Sequence, residues 1–107
     1  LLMPQFTVYQ NKHPQSKKLM PYLLDVQAEL LSDLQTCVVV PLTAADKNKD
    51  KTISRLTPIV TVDGTEYLML TPQLAGIMRK ELGKPVTTLS DARNEIIGAI
   101  DFLVTGF

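Results

Sequence analysis

Tryptophan is absent from this chain, and cysteine and histidine occur once each. Each shortage excludes something. A single cysteine, Cys37, rules out an internal disulfide, and a reducing compartment is the natural expectation. It opens an apolar run with no second cysteine or histidine nearby in sequence, so it reads as a buried structural thiol. His13, between Lys12 and Pro14 in a polar stretch, reads as a surface residue rather than a general base. No run of about 18 apolar residues occurs, so no segment reads as a membrane span. Glycine-rich phosphate loops, paired-cysteine metal spacings and nucleophile elbows are all missing, and no cofactor is implied. Neither sign of charge dominates, because eleven Lys and Arg balance eleven Asp and Glu. A nucleic-acid binder needs a basic face, so direct nucleic-acid binding is not expected, although Lys12, Lys17 and Lys18 could form a local patch.

What is present is a globular composition. An apolar fraction of 45% over 107 residues supports one modest core and a single domain, 1–107. Leu1-Leu2-Met3 is too short and uncharged for a signal peptide. Met3 reads as the start, with Leu1 and Leu2 upstream of it, and a cytosolic location is expected.

Phe6 and Val8 alternate with Gln5, Thr7 and Tyr9, the period of a half-buried strand. Asn11 to Lys18 reads as a loop or mobile hairpin tip, and Tyr22 to Val26 as a second strand. Cys37-Val38-Val39-Val40, bounded by Pro41, is the strongest buried-strand signal. Ala44 to Lys51 reads as a solvated charged connection. Ile59 to Val62 and Thr65 to Leu70 flank Asp63-Gly64, the signature of a type I′ hairpin. Thr71 to Gly83 is ambiguous. Thr71 and Pro72 could open a helix through MRKEL, or Ile77 to Leu82 could be a short edge strand. Ser90 is a plausible N-cap for a last helix, in which Ile96, Ile100, Leu103 and Phe107 form one stripe beside Ala92 and Ala99. Asn94, Asp101 and Thr105 fall on its more polar side. The expected fold class is mainly β with one C-terminal helix, a small twisted antiparallel sheet or partly open barrel.

Asp25, Glu29 and Asp33 recur at spacing four, but Asp25 has a strand-like context, so a solvated rim is expected rather than a metal site. With no catalytic constellation the protein is expected to act by contact. Phe107 is the first candidate, because apolar surface carried to a chain end has little to bury against. The dileucine Leu30-Leu31 is the second, with ordinary core as the competing reading.

Several segments taken in order resemble the CcdB toxins. They are Gln5-Phe6-Thr7-Val8-Tyr9 after Met3, DVQAELL (Asp25 to Leu31), VVVPLT (Val38 to Thr43), PIVTV (Pro58 to Val62), RNEIIGAID (Arg93 to Asp101) and the final Gly106-Phe107. The resemblance implies an SH3-like barrel of the CcdB/MazF type, with a small side sheet, a C-terminal helix, strand at Ile77 to Leu82, and a homodimer. It implies a non-enzymatic toxin that binds the DNA gyrase A protein and traps the cleaved complex. A cognate CcdA-type antitoxin would remove it with a disordered C-terminal segment. The gyrase contact carried over by resemblance centres on Thr105, Gly106 and Phe107. Asp101 and Val104 belong to it, with Leu30, Leu31, Gln5 and Phe6 nearby. The best-known members carry Trp where this chain has Thr105 and an aliphatic residue where it has Phe107. Two other functions suit the same barrel: a MazF-like endoribonuclease, and a chromosomal relative that binds only antitoxin.

Overall fold

The structure is a computed structural model that describes residues 4–48 and 53–106. Leu1, Leu2, Met3, residues 49–52 and Phe107 lie outside the described residues. The expectations about the chain start, the far part of the charged connection and the terminal phenylalanine fall there.

The strands are β1 (Thr7–Asn11), β2 (Tyr22–Asp25), β3 (Thr36–Ala44), β4 (Ile59–Val62), β5 (Thr65–Met69), β6 (Ala75–Met78) and β7 (Leu82–Thr88), followed by the helix α1 (Arg93–Thr105). All pairings are antiparallel, in the order β4-β5-β3-β2-β1-β7, with β6 attached to β3. The sheet curls into a half-barrel, and α1 packs into its hollow. The class is therefore mainly β with one C-terminal helix, consistent with a small SH3-like barrel.

Strand β3 organises both halves of the molecule. On one side its middle, Val39–Leu42, pairs with β2, and on the other it changes partner, from β6 at Thr36–Val39 to β5 at Leu42–Ala44. Pro41 does not end the strand, as its position suggested, but sits inside it opposite Leu23. The reason is local. The Pro41 carbonyl accepts a bond from the Leu70 N–H at 2.9 Å, so its nitrogen faces the same side, where β6 has ended and β5 has not begun. A residue without an N–H loses no ladder bond at that gap.

Two cores follow from the alternation of side chains along the central strands. Val8, Leu24, Val40, Leu42, Val60, Val62 and Met69 face α1 and meet Ile96 and Ala99. The intervening Leu23, Cys37 and Val39 point the other way, against Ile77 and Leu82 of the side sheet. Strand β1 is consequently buried on both faces at Thr7, Val8 and Tyr9 rather than half-buried. Cys37 is fully buried, as expected of a structural thiol.

The turn between β4 and β5 follows the sequence closely. Asp63 and Gly64 both have positive φ, 50° and 82°, as a type I′ turn requires, and Val62 pairs with Thr65. The stretch from Asn11 to Pro21 is a turn-rich connection, anchored by the Asn11 amide on the Met20 carbonyl (2.8 Å) and the Thr43 hydroxyl on the Leu19 carbonyl (2.6 Å).

The region 71–83 departs from both sequence readings. Thr71–Gln73 is a single 3-10 turn, Ile77 and Met78 close β6, and Arg79–Glu81 is another 3-10 turn. Ile77 to Leu82 is thus neither one strand nor a helix; the ladder to β3 is long enough only to reach Met78. Strand β7, in the Gly- and Pro-containing GKPVTT stretch, had no clear pattern. It forms because β1 needs a second neighbour. Gly83 permits the approach, since a Cβ there would lie 2.5 Å from the Gln10 carbonyl oxygen.

The last helix also starts differently. Ser90–Ala92 is a 3-10 turn, and α1 begins at Arg93 with no side-chain cap bond, so Ser90 is not its N-cap. The tighter turn satisfies the Ala92 N–H on the Leu89 carbonyl instead (2.9 Å).

Candidate functional site

At about 100° per residue, Ile96, Ala99, Ile100 and Leu103 share one side of α1. Exposure rises steeply along that side: Ile96 is 0% exposed, Ile100 is half-buried and Leu103 is 39% exposed. Val104, displaced around the helix, is 76% exposed, and Asp101, Thr105 and Gly106 are exposed beside it. The helix therefore ends in an overhanging tip that carries bare apolar side chains.

The tip is ordered by its own backbone. Gly106 adopts the left-handed conformation (φ 78°) and donates its N–H to the Phe102 carbonyl at 2.9 Å, closing the helix as a C-terminal glycine does. The Thr105 hydroxyl donates to the Asp101 carbonyl at 2.7 Å, which folds that side chain onto the helix. Behind the tip, the Arg55 guanidinium lies 4.8 Å from the centre of the Phe102 ring, tying the segment before β4 to α1.

A second group lies at the other end of α1. The Gln5 N–H donates to a Glu29 carboxylate oxygen (3.0 Å), its side-chain amide to the Val26 carbonyl (3.1 Å), and its amide oxygen accepts from Arg93 (3.2 Å). Gln5 thus links the 3-10 turn Glu29–Leu31 to the start of the helix. Leu30 is 93% exposed and Leu31 45%, so the dileucine is surface and the core reading does not hold. Leu34 joins them at 49%, a residue the sequence reading passed over although LL-x-x-L was visible.

Phe6 is not part of that surface. It is 2% exposed, a core residue under Arg93, whose guanidinium lies 5.7 Å from its ring. Its φ of 69° is strained for a bulky side chain, a cost of about 1–3 kcal/mol. Two backbone bonds enforce it, Phe6 N–H to Asp25 carbonyl and Leu89 N–H to Phe6 carbonyl, both 2.8 Å. The residues carried over by resemblance therefore divide into two groups. Arg93 and Val104 are eleven residues apart, about 16 Å along the helix axis.

The catalytic candidates are dispersed. His13 is exposed, and its Nδ1 accepts the Gln15 N–H at 3.3 Å. The carboxylates at spacing four separate: Glu29 and Asp33 are exposed, but Asp25 is buried and not on a solvated rim. It faces inward because β2 is covered on that side by the second core. Among the described residues, no three His, Cys, Asp or Glu side chains gather as a metal site would need. Burial, reinforced by Asp25 beside it, pushes the Cys37 thiol up from 9.0 to about 12, so the thiolate is disfavoured. Burial raises Tyr9 as well, with Asp25 and Cys37 adding to it.

A family model described as CcdB protein matches residues 5–106, and the chain belongs to the CcdB family. Membership supports a toxin of a toxin–antitoxin module, with an antitoxin partner and a gyrase target in the family's general scheme. Among the described residues, no helix is long and apolar enough to cross a membrane.

Proposed function

We propose that this protein is a gyrase poison that acts by contact, without catalysis. It binds the DNA gyrase A protein in the bacterial cytoplasm and traps the complex in which the enzyme is joined to cleaved DNA. The observation that carries the reading is the overhanging tip of α1, where Leu103 and Val104 are bare and Gly106 closes the helix. Phe107, next in the chain after Gly106, supplies the aromatic contact in place of a tryptophan at Thr105. Two copies associate as a homodimer and present the tip twice to a two-fold target, with Asp101, Thr105 and Gly106 at its rim. Gln5, Leu30 and Leu31 form a second contact near the helix start. A disordered segment of the antitoxin covers the dimer and releases gyrase.

Calorimetric titration of the full chain into the gyrase A protein tests this, run with and without the matching antitoxin. Binding that antitoxin abolishes, and that is lost on deleting Gly106-Phe107 while the fold persists, is the expected result. Retention of full affinity by the truncated protein contradicts it. Phe107→Ala is likewise expected to leave the protein folded and to remove gyrase binding; unfolding would make Phe107 core.

A further inference from the structure

Three leucines stand exposed within five residues, at positions 30, 31 and 34, on a segment with no regular structure beyond one 3-10 turn. Short turns of this kind do not stay ordered on their own backbone bonds. Polar side chains frame this one from three directions. Glu29 accepts the Gln5 N–H. The Gln27 amide donates to the Leu31 and Thr36 carbonyls (3.1 and 3.2 Å) and accepts the Val38 N–H (3.2 Å). The third frame crosses from the side sheet: the Arg79 Nε donates to the Leu34 carbonyl at 3.0 Å, and the Arg79 backbone N–H donates to the Gln35 carbonyl at 2.8 Å.

Two of these frames meet at one buried carboxylate. Asp25 Oδ1 accepts the Gln27 N–H at 2.9 Å, and Oδ2 lies 3.9 Å from Arg79 Nη1. A buried carboxylate holds its charge only when it is paired and hydrogen-bonded. Arg79 lies at ion-pair distance from that carboxylate with one edge of its guanidinium and hydrogen-bonds the loop carbonyl with another, a division of labour that the planar fork of arginine allows and a lysine ammonium does not.

We propose that Arg79 is a positioning residue for the target-contacting surface: by bridging buried Asp25 to the Leu34 carbonyl it clamps the 29–35 turn with Leu30, Leu31 and Leu34 facing outward as one rigid apolar contact. The proposal rests on the gyrase-binding reading above for its functional half. The clamp itself rests on the geometry alone. A pre-ordered loop matters because affinity scales with the fraction of molecules already in the binding conformation.

The test uses Arg79→Lys, which keeps the charge beside Asp25 and breaks the bridge. A second variant, Asp25→Asn with Arg79→Met, removes the pair without stranding a buried charge. In both, hydrogen exchange at the Leu34 and Arg79 amides is expected to speed by about tenfold or more, while Val40 and Leu42 in β3 exchange as before. Affinity for gyrase should fall by about tenfold for Arg79→Lys, in line with a lower binding-competent fraction. Adding Arg79→Lys to Leu30→Ala/Leu31→Ala/Leu34→Ala should bring no further loss, because the clamp acts only through those three leucines. Loop exchange unchanged from the parent in both variants overturns the clamp. Faster exchange with unaltered affinity overturns the loop's role as a contact and leaves the tip of α1 as the binding element. Failure of the parent to bind gyrase overturns the functional half by itself, and exchange still decides the clamp.

Discussion

Replacing Val104 by lysine should separate the contact role of the helix tip from its structural role. Full burial of a valine side chain is worth about 1.5–3 kcal/mol. Val104 is 76% exposed, so only about a quarter of that, roughly 0.4–0.7 kcal/mol, is at stake in the folded chain. A cation in the last turn of α1 returns about 0.3–1 kcal/mol through the helix dipole. The two effects nearly cancel, and urea denaturation should show a change within about 0.5 kcal/mol. Gyrase binding should respond very differently. Inserting a charge into a desolvated apolar contact is expected to weaken binding by about 2 kcal/mol or more, close to 30-fold. Ile96→Ala is the counterpart on the same helix. Ile96 is fully buried, so its truncation should lose about 2–5 kcal/mol of stability. Calorimetry of each folded variant with the gyrase A protein, alongside sedimentation to follow the oligomeric state, reads out both arms. The reasoning is refuted if Val104→Lys destabilises the fold by about 2 kcal/mol or more, or if it binds as tightly as the parent.

Gly83→Ala should destabilise by about 1–3 kcal/mol, because the new Cβ would sit 2.5 Å from the Gln10 carbonyl oxygen and 2.9 Å from its Cβ, forcing β1 and β7 apart. Gly76→Ala, with nothing within 4 Å of the added carbon, is its control and should stay within about 0.5 kcal/mol in the same urea titration. The Cys37 thiol should resist a disulfide reagent at neutral pH and react promptly once denaturant is added. Its folded pKa is raised, so its contribution to stability is complete below about pH 9 and is lost as pH climbs toward 12. Cys37→Ala should therefore flatten part of the alkaline decline in unfolding free energy; an unchanged slope would show that the thiol is not protected.

What the sequence made legible was whatever local chemistry decides. The Asp63-Gly64 turn, the buried run in β3 and the apolar stripe of α1 each follow from residues adjacent in the chain or one turn apart. Most of the misreadings share a cause, since they depended on a distant partner. Pro41 looked like a boundary because the change of neighbour from β6 to β5 cannot be seen from β3 alone. Strand β7 hides behind Gly83, Lys84 and Pro85, whose reason is the close approach of Gln10. The helix start moved past Ser90 because a 3-10 turn, not a side-chain cap, joins β7 to α1. At the candidate site, the sequence pointed to Phe107, which lies outside the described residues, and Val104 entered through the resemblance rather than through the helical pattern. The burial of Phe6 was not legible, because its place in the core is set by backbone bonds to Asp25 and Leu89, far along the chain. Arg79 was invisible for the same reason, since it reads as one charge in MRKEL until Asp25 and Leu34 are beside it.

The most direct test of the central claim is a gyrase cleavage assay on supercoiled DNA with the purified full chain. The account predicts protein-linked double-strand breaks that accumulate with the toxin, disappear when the antitoxin is added, and fail to form with Val104→Lys. Intact DNA in that assay, together with fragmented messenger RNA in cells expressing the protein, would contradict it and assign the barrel to RNA cleavage instead.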